Sequence, residues 1–328
     1  MTKNRIKILE LFGGIGAPRM ALQNIGVDIK SIDYVEILPC AVQAYNQMFN
    51  NDYDIQDVKS WNLDVDILIH GSPCQDFSKN GLNNINTGRS ILYERTLEII
   101  EKELLKRPRV VLWENVPNLL SKRHVEHFNH YIETMDKLGY TSSFSVLNAS
   151  KYGIPQNRDR VYTVSVYGGH KFSFPDQIPL THTIDHYIDY DTDVSKYQLS
   201  ENEKSIFFKK DGKLYAREAT KIGYKQVDEY DTINVEFPTS KTRRGRVQKK
   251  MAPTITTHPR IAIYYNDTLR MLTAKEHFRL MGFSDESYYK IVSSGITERQ
   301  ISYLAGNSIC VSVLEEIFKR IISEWDSY

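Results

Sequence analysis

The chain has 328 residues, and its 42 Lys and Arg side chains nearly balance 41 Asp and Glu, which leaves a formal net charge of +1. With 41% hydrophobic and 25% charged residues, the composition is that of an ordinary globular protein and excludes a chain that is disordered throughout. Domains commonly hold roughly 100–200 residues, so the length predicts two domains or one large domain with an insertion.

The sequence also indicates a compartment. It has no run of about 18 apolar residues, so we expect no transmembrane helix and no membrane partner, and its first residues lack the apolar core of a secretory signal. The cysteines, Cys40, Cys74 and Cys310, form no C-x-x-C pair. This argues against a disulfide framework or a Cys-rich zinc site and predicts a cytoplasmic protein.

Short apolar runs alternate with amphipathic stretches over the first 170 residues. They predict buried parallel strands at Ile6–Leu11, Ile32–Glu36, Ile67–His70 and Val110–Glu114. The stretches between them predict helices at Arg19–Ile25, Pro39–Phe49 and Leu92–Leu105. This alternation predicts an α/β fold with a doubly wound, mostly parallel sheet, whose ligands bind beyond the carboxyl ends of the strands.

The pattern changes from about Gly168, where polar residues dominate and no strand–helix alternation is visible up to about Arg260. This predicts a second, smaller and irregular domain. An apolar face then recurs through Val311, Leu314 and Ile321, which predicts a helix packed back on the first domain. We therefore assign residues 1–168 and 296–328 to the first domain, and residues 169–295 to the second domain with a hinge.

A glycine-rich turn, Leu11-Phe12-Gly13-Gly14-Ile15-Gly16-Ala17, follows the first strand, and Glu36 ends the second. Glycines let a backbone approach a ligand closely, and an acid about 20 residues later can bind ribose hydroxyls. The dinucleotide pattern needs a third glycine where this chain has Arg19. The turn therefore favours an adenosine-type ligand without a pyrophosphate, and a purely structural turn is the alternative.

Reactive side chains follow the third and fourth strands. Cys74 lies in a turn after a buried parallel strand, where catalytic nucleophiles are found, whereas a lone Cys is more often an inert small apolar residue. Glu114 ends an apolar run, so it is either a carboxyl poised for proton transfer or a salt-bridged strand end. Arg158 and Arg160 are two residues apart on an extended segment and are expected to point to one face, where they could hold an oxygen, a phosphate or Glu114.

The window Lys241–Lys250 holds six cations and no anion. Taken alone, it is more typical of a solvated loop than of a binding site. His124, His127 and His130 recur every three residues, as helical metal ligands do, but no carboxylate or Cys pattern completes a site. We therefore expect a surface helix there and no metal.

In order, these blocks resemble the conserved motifs of the DNA (cytosine-5)-methyltransferases. The glycine turn resembles that family's S-adenosylmethionine loop, Pro73-Cys74-Gln75 its nucleophile motif, Glu114-Asn115-Val116 its Glu-Asn-Val, and Gln156-x-Arg158-x-Arg160 its Gln-x-Arg-x-Arg. Pro253-Thr254-Ile255-Thr256 and Gly306-Asn307-Ser308 resemble later blocks. The stretch of about 169–250 lies where members carry the target-recognition region.

The resemblance implies a role for each block. Catalytic roles fall on Cys74, Glu114, Arg158 and Arg160. The cofactor, S-adenosyl-L-methionine, which leaves as S-adenosylhomocysteine, would be bound by Phe12, Gly14, Ile15, Gly16, Glu36, Ile37, Asp54, Ile55, Pro73, Leu92, Asn307 and Ser308. DNA would be contacted by Gln75, Ser78, Asn80, Arg89, Arg243, Arg244 and Arg246. The first domain becomes the catalytic, cofactor-binding domain and the second the target-recognition domain.

The implied reaction is methyl transfer to C5 of a flipped-out cytosine in a specific duplex DNA sequence, through a covalent Cys74–C6 adduct. The implied partners are double-stranded DNA and, for a restriction-modification enzyme, a separate cognate endonuclease, with the methyltransferase acting as a monomer. A tRNA cytosine-5 methyltransferase with the same chemistry and a catalytically silent DNA-binding module stay open as alternatives. A nicotinamide-dependent dehydrogenase is disfavoured by Arg19 and by the lack of a hydride-transfer constellation.

Overall fold

The structure is a computed structural model that describes residues 5–58, 64–72, 92–102 and 106–328. In chain order, the described strands are β1 (Ile6–Leu11), β2 (Ile29–Val35), β3 (Ile67–His70), β4 (Val110–Asn115), β5 (Tyr140–Asn148), β6 (Gln156–Asn157), β7 (Asp159–Tyr167), β8 (Phe207–Lys210), β9 (Lys213–Arg217), β10 (Tyr224–Val227), β11 (Thr232–Asn234), β12 (Val247–Gln248), β13 (Ala252–Pro253), β14 (Ile261–Tyr265) and β15 (Thr268–Met271). The described α-helices are α1 (Ala17–Asn24), α2 (Pro39–Phe49), α3 (Leu92–Lys102), α4 (Val125–Lys137), α5 (Glu201–Lys204), α6 (Ala274–Arg279), α7 (Asp285–Ser293), α8 (Glu298–Asn307) and α9 (Val311–Ser323).

The chain divides into two compact units. The first comprises Met1–Asn148, Asp159–Gln177 and Ile309–Tyr328, and the second comprises Ala149–Arg158 and Ile178–Ser308. Residues 149–158 and 296–308, which the sequence analysis grouped with the first domain, belong to the second compact unit. The assignment of catalysis and recognition to particular regions stays a prediction.

The first unit is built on a mostly parallel sheet, as predicted. Its described strands run in the order β2-β1-β3-β4-β7-β5, with parallel pairing from β2 to β4. The predicted strands match β1 and β3 residue for residue, and the helix predicted at Pro39–Phe49 is α2. Because central parallel strands are covered on both faces, they appear in the sequence as continuous apolar runs.

The antiparallel part of this sheet, β5 and β7, was not predicted. β7 pairs with β4 and β5 in antiparallel register. The edge strand β5 begins Tyr-Thr-Ser-Ser and leaves Phe144 and Val146 exposed. A strand with one solvated face lacks the continuous apolar run that marks the central strands.

The C-terminal helix α9 packs on the first unit, as predicted. Asn24 Nδ2, at the end of α1, donates to Glu315 Oε1 of α9 at 2.6 Å, and the apolar face of α9 is buried at Val313, Ile317 and Ile321. The stretch Glu298–Ser323 is long and apolar enough to cross a membrane by length and composition alone, but 61% of its most apolar window is buried inside the protein. Core helices of soluble proteins have the same property.

The second unit contains small antiparallel sheets that the sequence analysis did not anticipate. One sheet has the strand order β10-β9-β8 and the other β12-β11-β14-β15. They share an apolar core that includes Ala216, Val227 and Ile233. These strands are only two to five residues long, which is too short for an alternating pattern to stand out in the sequence.

Candidate active site

The glycine-rich turn connects β1 to α1 through left-handed backbone. Phe12, Gly14 and Gly16 have φ values of 55°, 53° and 74°. A Cβ on Gly16 would lie 2.5 Å from Phe49 Cε2 and 2.6 Å from Tyr45 Cε2, whereas a Cβ on Gly14 would meet nothing within 4 Å. Gly16 therefore lets the turn pack closely on α2, and Gly14 leaves open space at the sheet edge. Ile15 is buried, so it presents backbone rather than side chain at this edge.

Glu36 and the glycine turn are brought together as predicted. Glu36 Oε2 accepts a hydrogen bond from Gly14 N at 3.0 Å, and Oε1 accepts from Ile37 N and Leu38 N at 2.9 Å each. An ionised carboxylate has about four acceptor positions, so about one remains for a ligand hydroxyl. This anchored carboxylate can hold a ribose without losing its contacts to the turn.

Exposed apolar side chains flank Glu36. Ile37 is 63% exposed and Ile55 is 54% exposed, and Gln56 N donates to Glu36 O at 3.0 Å, which places the Asp54–Gln56 segment beside the end of β2. Contiguous exposed apolar surface often marks a ligand-binding site. A carboxylate, an open glycine turn and two exposed Ile side chains fit an adenosine, with its ribose on Glu36 and its base between apolar surfaces.

A buried acid that the sequence analysis overlooked lies in β1, next to the turn. Glu10 is 1% exposed and accepts a 2.6 Å hydrogen bond from Tyr45 Oη, and Arg19 Nη1 donates to the same Tyr45 Oη at 3.2 Å. Burial raises the pKa of the Glu10 carboxyl to about 7, although Tyr45 and Arg19 oppose the shift. The sequence does contain an indication of this buried acid, because Glu10 lies within the predicted buried strand Ile6–Leu11.

A second group of polar residues lies at the carboxyl ends of β3 and β4. Arg160 Nε is 3.0 Å from Glu114 Oε1, and their side chains are only 16% and 12% exposed. The antiparallel register of β4 and β7, which pairs Glu114 with Tyr162 and Asn115 with Val161, sets this contact. Glu114 thus lies in an ion pair at a strand end, and its role in proton transfer stays a prediction.

The end of β3 is fixed to β4 beside this ion pair. Trp113 Nε1 donates to Ser72 Oγ at 3.0 Å, and Asn115 Nδ2 donates to Ser72 O at 3.4 Å. A Cβ added to Gly71 would lie 4.0 Å from Glu114 Oε2. The segment that enters the predicted nucleophile motif is therefore held against Glu114 by hydrogen bonds from the next strand.

Several predicted site residues lie outside the described residues. They are Pro73, Cys74, Gln75, Ser78, Asn80 and Arg89. Leu92, a predicted cofactor contact, is the first residue of α3. Their roles stay predictions.

Arg158 belongs to the second unit, where its guanidinium donates hydrogen bonds to backbone carbonyl oxygens. It is 3% exposed. Nη1 donates to Ile255 O at 2.8 Å, and Nη2 donates to Gly306 O and Ser308 O at 3.0 and 2.7 Å. It thus joins the blocks Pro253–Thr256 and Gly306–Ser308, which the sequence analysis had linked only through resemblance. Asn307 is exposed at the end of α8 and Ser308 is buried.

Several cations of the basic window have partners within the second unit. Arg246 donates to Ala219 O at 3.4 Å and to Thr242 O at 3.1 Å, and Lys249 pairs with Asp228 and Asp231 at 2.6 Å each. Arg243 is exposed and its guanidinium lies 3.8 Å from the centre of the Phe237 ring. Across the described ranges, no group of three or more His, Cys, Asp or Glu side chains could hold a metal ion.

Comparison with known proteins identifies the family. The family C-5 cytosine-specific DNA methylase matches residues 6–323, so the chain belongs to it and is an enzyme of this class. Type II methyltransferase M2.ScrFI of Lactococcus lactis subsp. cremoris is 32% identical over 84% of this chain and 72% of that protein. Orphan methyltransferase M.SPBetaI of Bacillus phage SPbeta is 27% identical over 97% of this chain and 98% of that protein.

Solved structures have the same fold. The Dnmt2 methyltransferase of S. pombe matches with a TM-score of 0.74 and 19% identity, over 98% of this chain and 100% of that one. A DNA modification methyltransferase encoded in an E. coli prophage matches with a TM-score of 0.68 and 18% identity, over 98% and 99%. The predicted fold class is confirmed, and membership of the family implies S-adenosylmethionine-dependent methylation of cytosine.

Proposed function

We propose that this enzyme transfers a methyl group from S-adenosylmethionine to C5 of a flipped-out cytosine in a specific duplex DNA sequence. The observation that carries the proposal is the Glu114–Arg160 ion pair beside the anchored end of β3. Two residues beyond the last described residue of that segment, the sequence has Cys74. Glu114 lies at the carboxyl end of β4 and Arg160 at the start of its antiparallel neighbour β7, the sheet edge at which ligands of such sheets bind, and Cys74 follows β3 in the sequence.

C5 of cytosine is too weak a nucleophile to take a methyl group directly, so the enzyme must first activate the ring by adding a nucleophile of its own to C6. The Cys74 thiolate forms a bond from Sγ to C6, and the electrons of the C5–C6 double bond become available at C5. C5 then takes the methyl group, and the electrons of the broken S–CH₃ bond stay on the departing S-adenosylhomocysteine sulfur. Loss of the C5 proton to a base, for which water is a candidate, restores the double bond and releases Cys74.

Glu114 and Arg160 would stabilise the ring while the thiolate adds. Negative charge develops toward N3 and O2 of the cytosine, and a proton donor at N3 with a cation at O2 offsets it. We assign Arg160 to O2 and Glu114 to N3, where the carboxyl, once it carries a proton, donates it to the ring and takes it back when Cys74 leaves. The ion pair between them orients both groups before the base arrives. Arg158, with its guanidinium on three carbonyl oxygens, supports the fold of the second unit instead of contacting the base.

S-adenosylmethionine supplies the methyl group when it is bound. We assign Glu36 to its ribose, Ile37 and Ile55 to its adenine faces, and the backbone of the Phe12–Gly16 turn to its amino-acid end. Asp54 is exposed next to Ile55 and can accept a hydrogen bond from the adenine amino group. Asn307 and Ser308 complete the set that the motif resemblance implies.

Duplex DNA hides the reacting atoms of cytosine, so the base must leave the stack, which costs a few kcal/mol. Contacts to DNA phosphates offset this cost. We assign them to the exposed Arg243 and to the less exposed Arg244 and Arg246. We further propose that the enzyme acts as a monomer, because one chain carries every motif. We also propose that it acts in the cytoplasm, as the cysteine usage predicts. The name of the phage relative contains the word orphan, so a cognate endonuclease is not required by the comparison.

The test is methyl transfer from labelled S-adenosylmethionine to unmethylated duplex DNA and, separately, to unmodified tRNA. The proposal predicts 5-methylcytosine in the DNA digest and little in the tRNA digest. Label in tRNA alone would establish the alternative substrate with the same chemistry. Binding of DNA with no label in either substrate would establish a silent binding module.

A further inference from the structure

The outer face of the β8–β10 sheet carries aromatic rings in contact with one another. Phe208 and Tyr215 are directly opposite in the antiparallel register and stack with ring centroids 5.5 Å apart and an interplanar angle of 18°. Tyr224 packs edge-on against both rings, at 5.7 Å from each. The spacing of these residues along the sequence gives no hint of this cluster, because it forms only when three strands pair.

This face is not the one that packs into the core of the second unit. Successive side chains of a strand point to opposite faces, and the core takes Phe207, Leu214, Ala216 and Val227. The alternate residues carry the rings on the outside. Tyr224 is 41% exposed, and Phe208 and Tyr215 are partly exposed.

Cations frame the rings on the same face. Lys210 and Lys213 are opposite each other in the register, and Arg217 is opposite Tyr224. The Arg217 guanidinium lies 5.1 Å from the centre of the Phe208 ring. None of the ion pairs among the described residues includes Lys210, Lys213 or Arg217. Arg217 Nη1 donates to Ser205 O at 2.7 Å, and Lys213 is near enough to Asp228 for its charge to help lower the pKa of that carboxyl.

The nearby acids have other partners or lie at the tip of the hairpin. Glu218 is buried and its Oε1 accepts from Val247 N at 2.6 Å, and Asp228 pairs with Lys249. Asp211 occupies the turn between β8 and β9. The face therefore presents a partly exposed aromatic cluster beside cations, which is complementary to bases joined by phosphates.

The loop Lys241–Arg246 adds to this border. Ala219 N donates to Arg244 O at 2.8 Å, and a Cβ on Gly245 would lie 2.2 Å from Arg217 O. The predicted DNA-contacting arginines thus adjoin the end of β9 that carries Arg217. The loop and the end of β9 are therefore neighbours within the second unit.

We propose that this surface, the Phe208–Tyr215–Tyr224 face, binds single-stranded DNA by stacking unpaired bases on its rings. A base offers its flat side to an aromatic ring only when it has left the duplex stack, and stacking on protein rings tolerates any base. The cations hold the backbone phosphates. This goes beyond methyl transfer and does not depend on the proposed reaction.

The experiment measures fluorescence anisotropy of a labelled oligothymidine of about 15 nucleotides with the full chain. Oligothymidine has no cytosine, so binding is independent of methyl transfer. We expect binding that weakens with salt, and an affinity about tenfold lower for Tyr215→Ala or Phe208→Ala. Tyr215→Phe keeps the ring and should bind as the wild type does.

Tyr190→Ala is the matched control, because Tyr190 is a 57% exposed tyrosine of the same unit outside this face. It should leave binding unchanged. If Tyr215→Ala or Phe208→Ala lowers the melting temperature, the affinity of Tyr224→Ala for oligothymidine tests the proposal instead. Tyr224 is the most exposed of the three rings, so its removal should disturb the fold least. Lys210→Ala and Lys213→Ala should each reduce the slope of log affinity against log salt by about one.

Three results would overturn the proposal. The first is no binding of oligothymidine by the wild type, and the second is equal binding by Tyr224→Ala, Tyr215→Ala and the wild type. The third is a preference for another nucleic acid over oligothymidine. Either oligouridine RNA or an adenine–thymine duplex would then bind more tightly than the single-stranded oligothymidine. Methylation of duplex DNA is assayed separately, so failure of this proposal is distinguishable from failure of the proposed function.

Discussion

Arg160 Nε and Glu114 Oε1 lie 3.0 Å apart across the antiparallel pair β4 and β7. The contact depends on strand register and not on a loop, so both groups are oriented before any ligand binds. Preorganised charge of this kind is often the largest single contribution to catalysis.

Glu114→Gln should nearly abolish methyl transfer. The amide keeps the shape of the side chain but cannot deliver a proton to N3, and it removes the charge that orients Arg160. We expect the initial rate at saturating S-adenosylmethionine to fall roughly 10²- to 10⁴-fold. Glu133→Gln, on an exposed position of α4, serves as the control. A Glu114→Gln rate close to that of the control would contradict the role assigned to Glu114.

Glu36→Gln should weaken cofactor binding. Its carboxylate accepts from three backbone N–H groups, and an amide replaces one of the two acceptor oxygens by a donor that faces those groups. We expect the dissociation constant for S-adenosylhomocysteine, measured by titration calorimetry, to rise about tenfold, which corresponds to about 1.4 kcal/mol. Asp57→Asn, on an exposed carboxylate, should leave it unchanged. An unaltered constant for Glu36→Gln would remove Glu36 from the cofactor site.

Arg158→Ala should destabilise the protein more than it alters substrate affinity. Removal of the guanidinium leaves three carbonyl oxygens without their donor in a buried position. We expect the free energy of unfolding to fall by roughly 3 kcal/mol or more in urea titrations. Arg299→Ala, on the exposed side of α8, is the comparison. A stable Arg158→Ala variant that has lost only its activity would instead make Arg158 a catalytic residue.

Glu10→Gln should change how stability depends on pH. Because burial raises the pKa of Glu10 from 4.5 to about 7 in the folded state, the folded protein holds a proton there that the unfolded chain has released. The stability of the wild type therefore falls as pH rises from about 4.5 through 7, by roughly 3 kcal/mol from this group. Glutamine keeps the contact with Tyr45 and cannot ionise.

Urea titrations between pH 5 and pH 8 measure this difference. The variant should become more stable relative to the wild type as the pH rises, with most of the change below about pH 7. Glu133→Gln should follow the wild type throughout, because its carboxylate is exposed. Parallel curves for Glu10→Gln and the wild type would mean that Glu10 ionises normally in the folded protein.

The central sheet could be predicted because parallel strands buried on both faces appear in the sequence as continuous apolar runs. Ile67–His70 and Pro39–Phe49 were placed residue for residue, and Glu36 was paired with the glycine turn through a spacing that the β1–α1–β2 geometry imposes. Family motifs supplied the residues whose chemistry no local pattern reveals.

Features that depend on pairing between distant strands were not predictable. The rings of Phe208, Tyr215 and Tyr224 are ordinary aromatic residues until three short strands align them. Arg158 and Arg160, expected on one face, have different partners, since Arg158 contacts backbone oxygens and Arg160 contacts Glu114. Nothing in a two-residue spacing specifies which partner each cation takes.

The central claim is sequence-specific methylation of cytosine through Cys74. The most direct measurement is conversion sequencing of unmethylated phage DNA after incubation with the pure protein and S-adenosylmethionine, alongside Cys74→Ala. The account predicts protected cytosines in one short sequence context with the wild type and none with the variant. No protection by the wild type, or equal protection by Cys74→Ala, would contradict it.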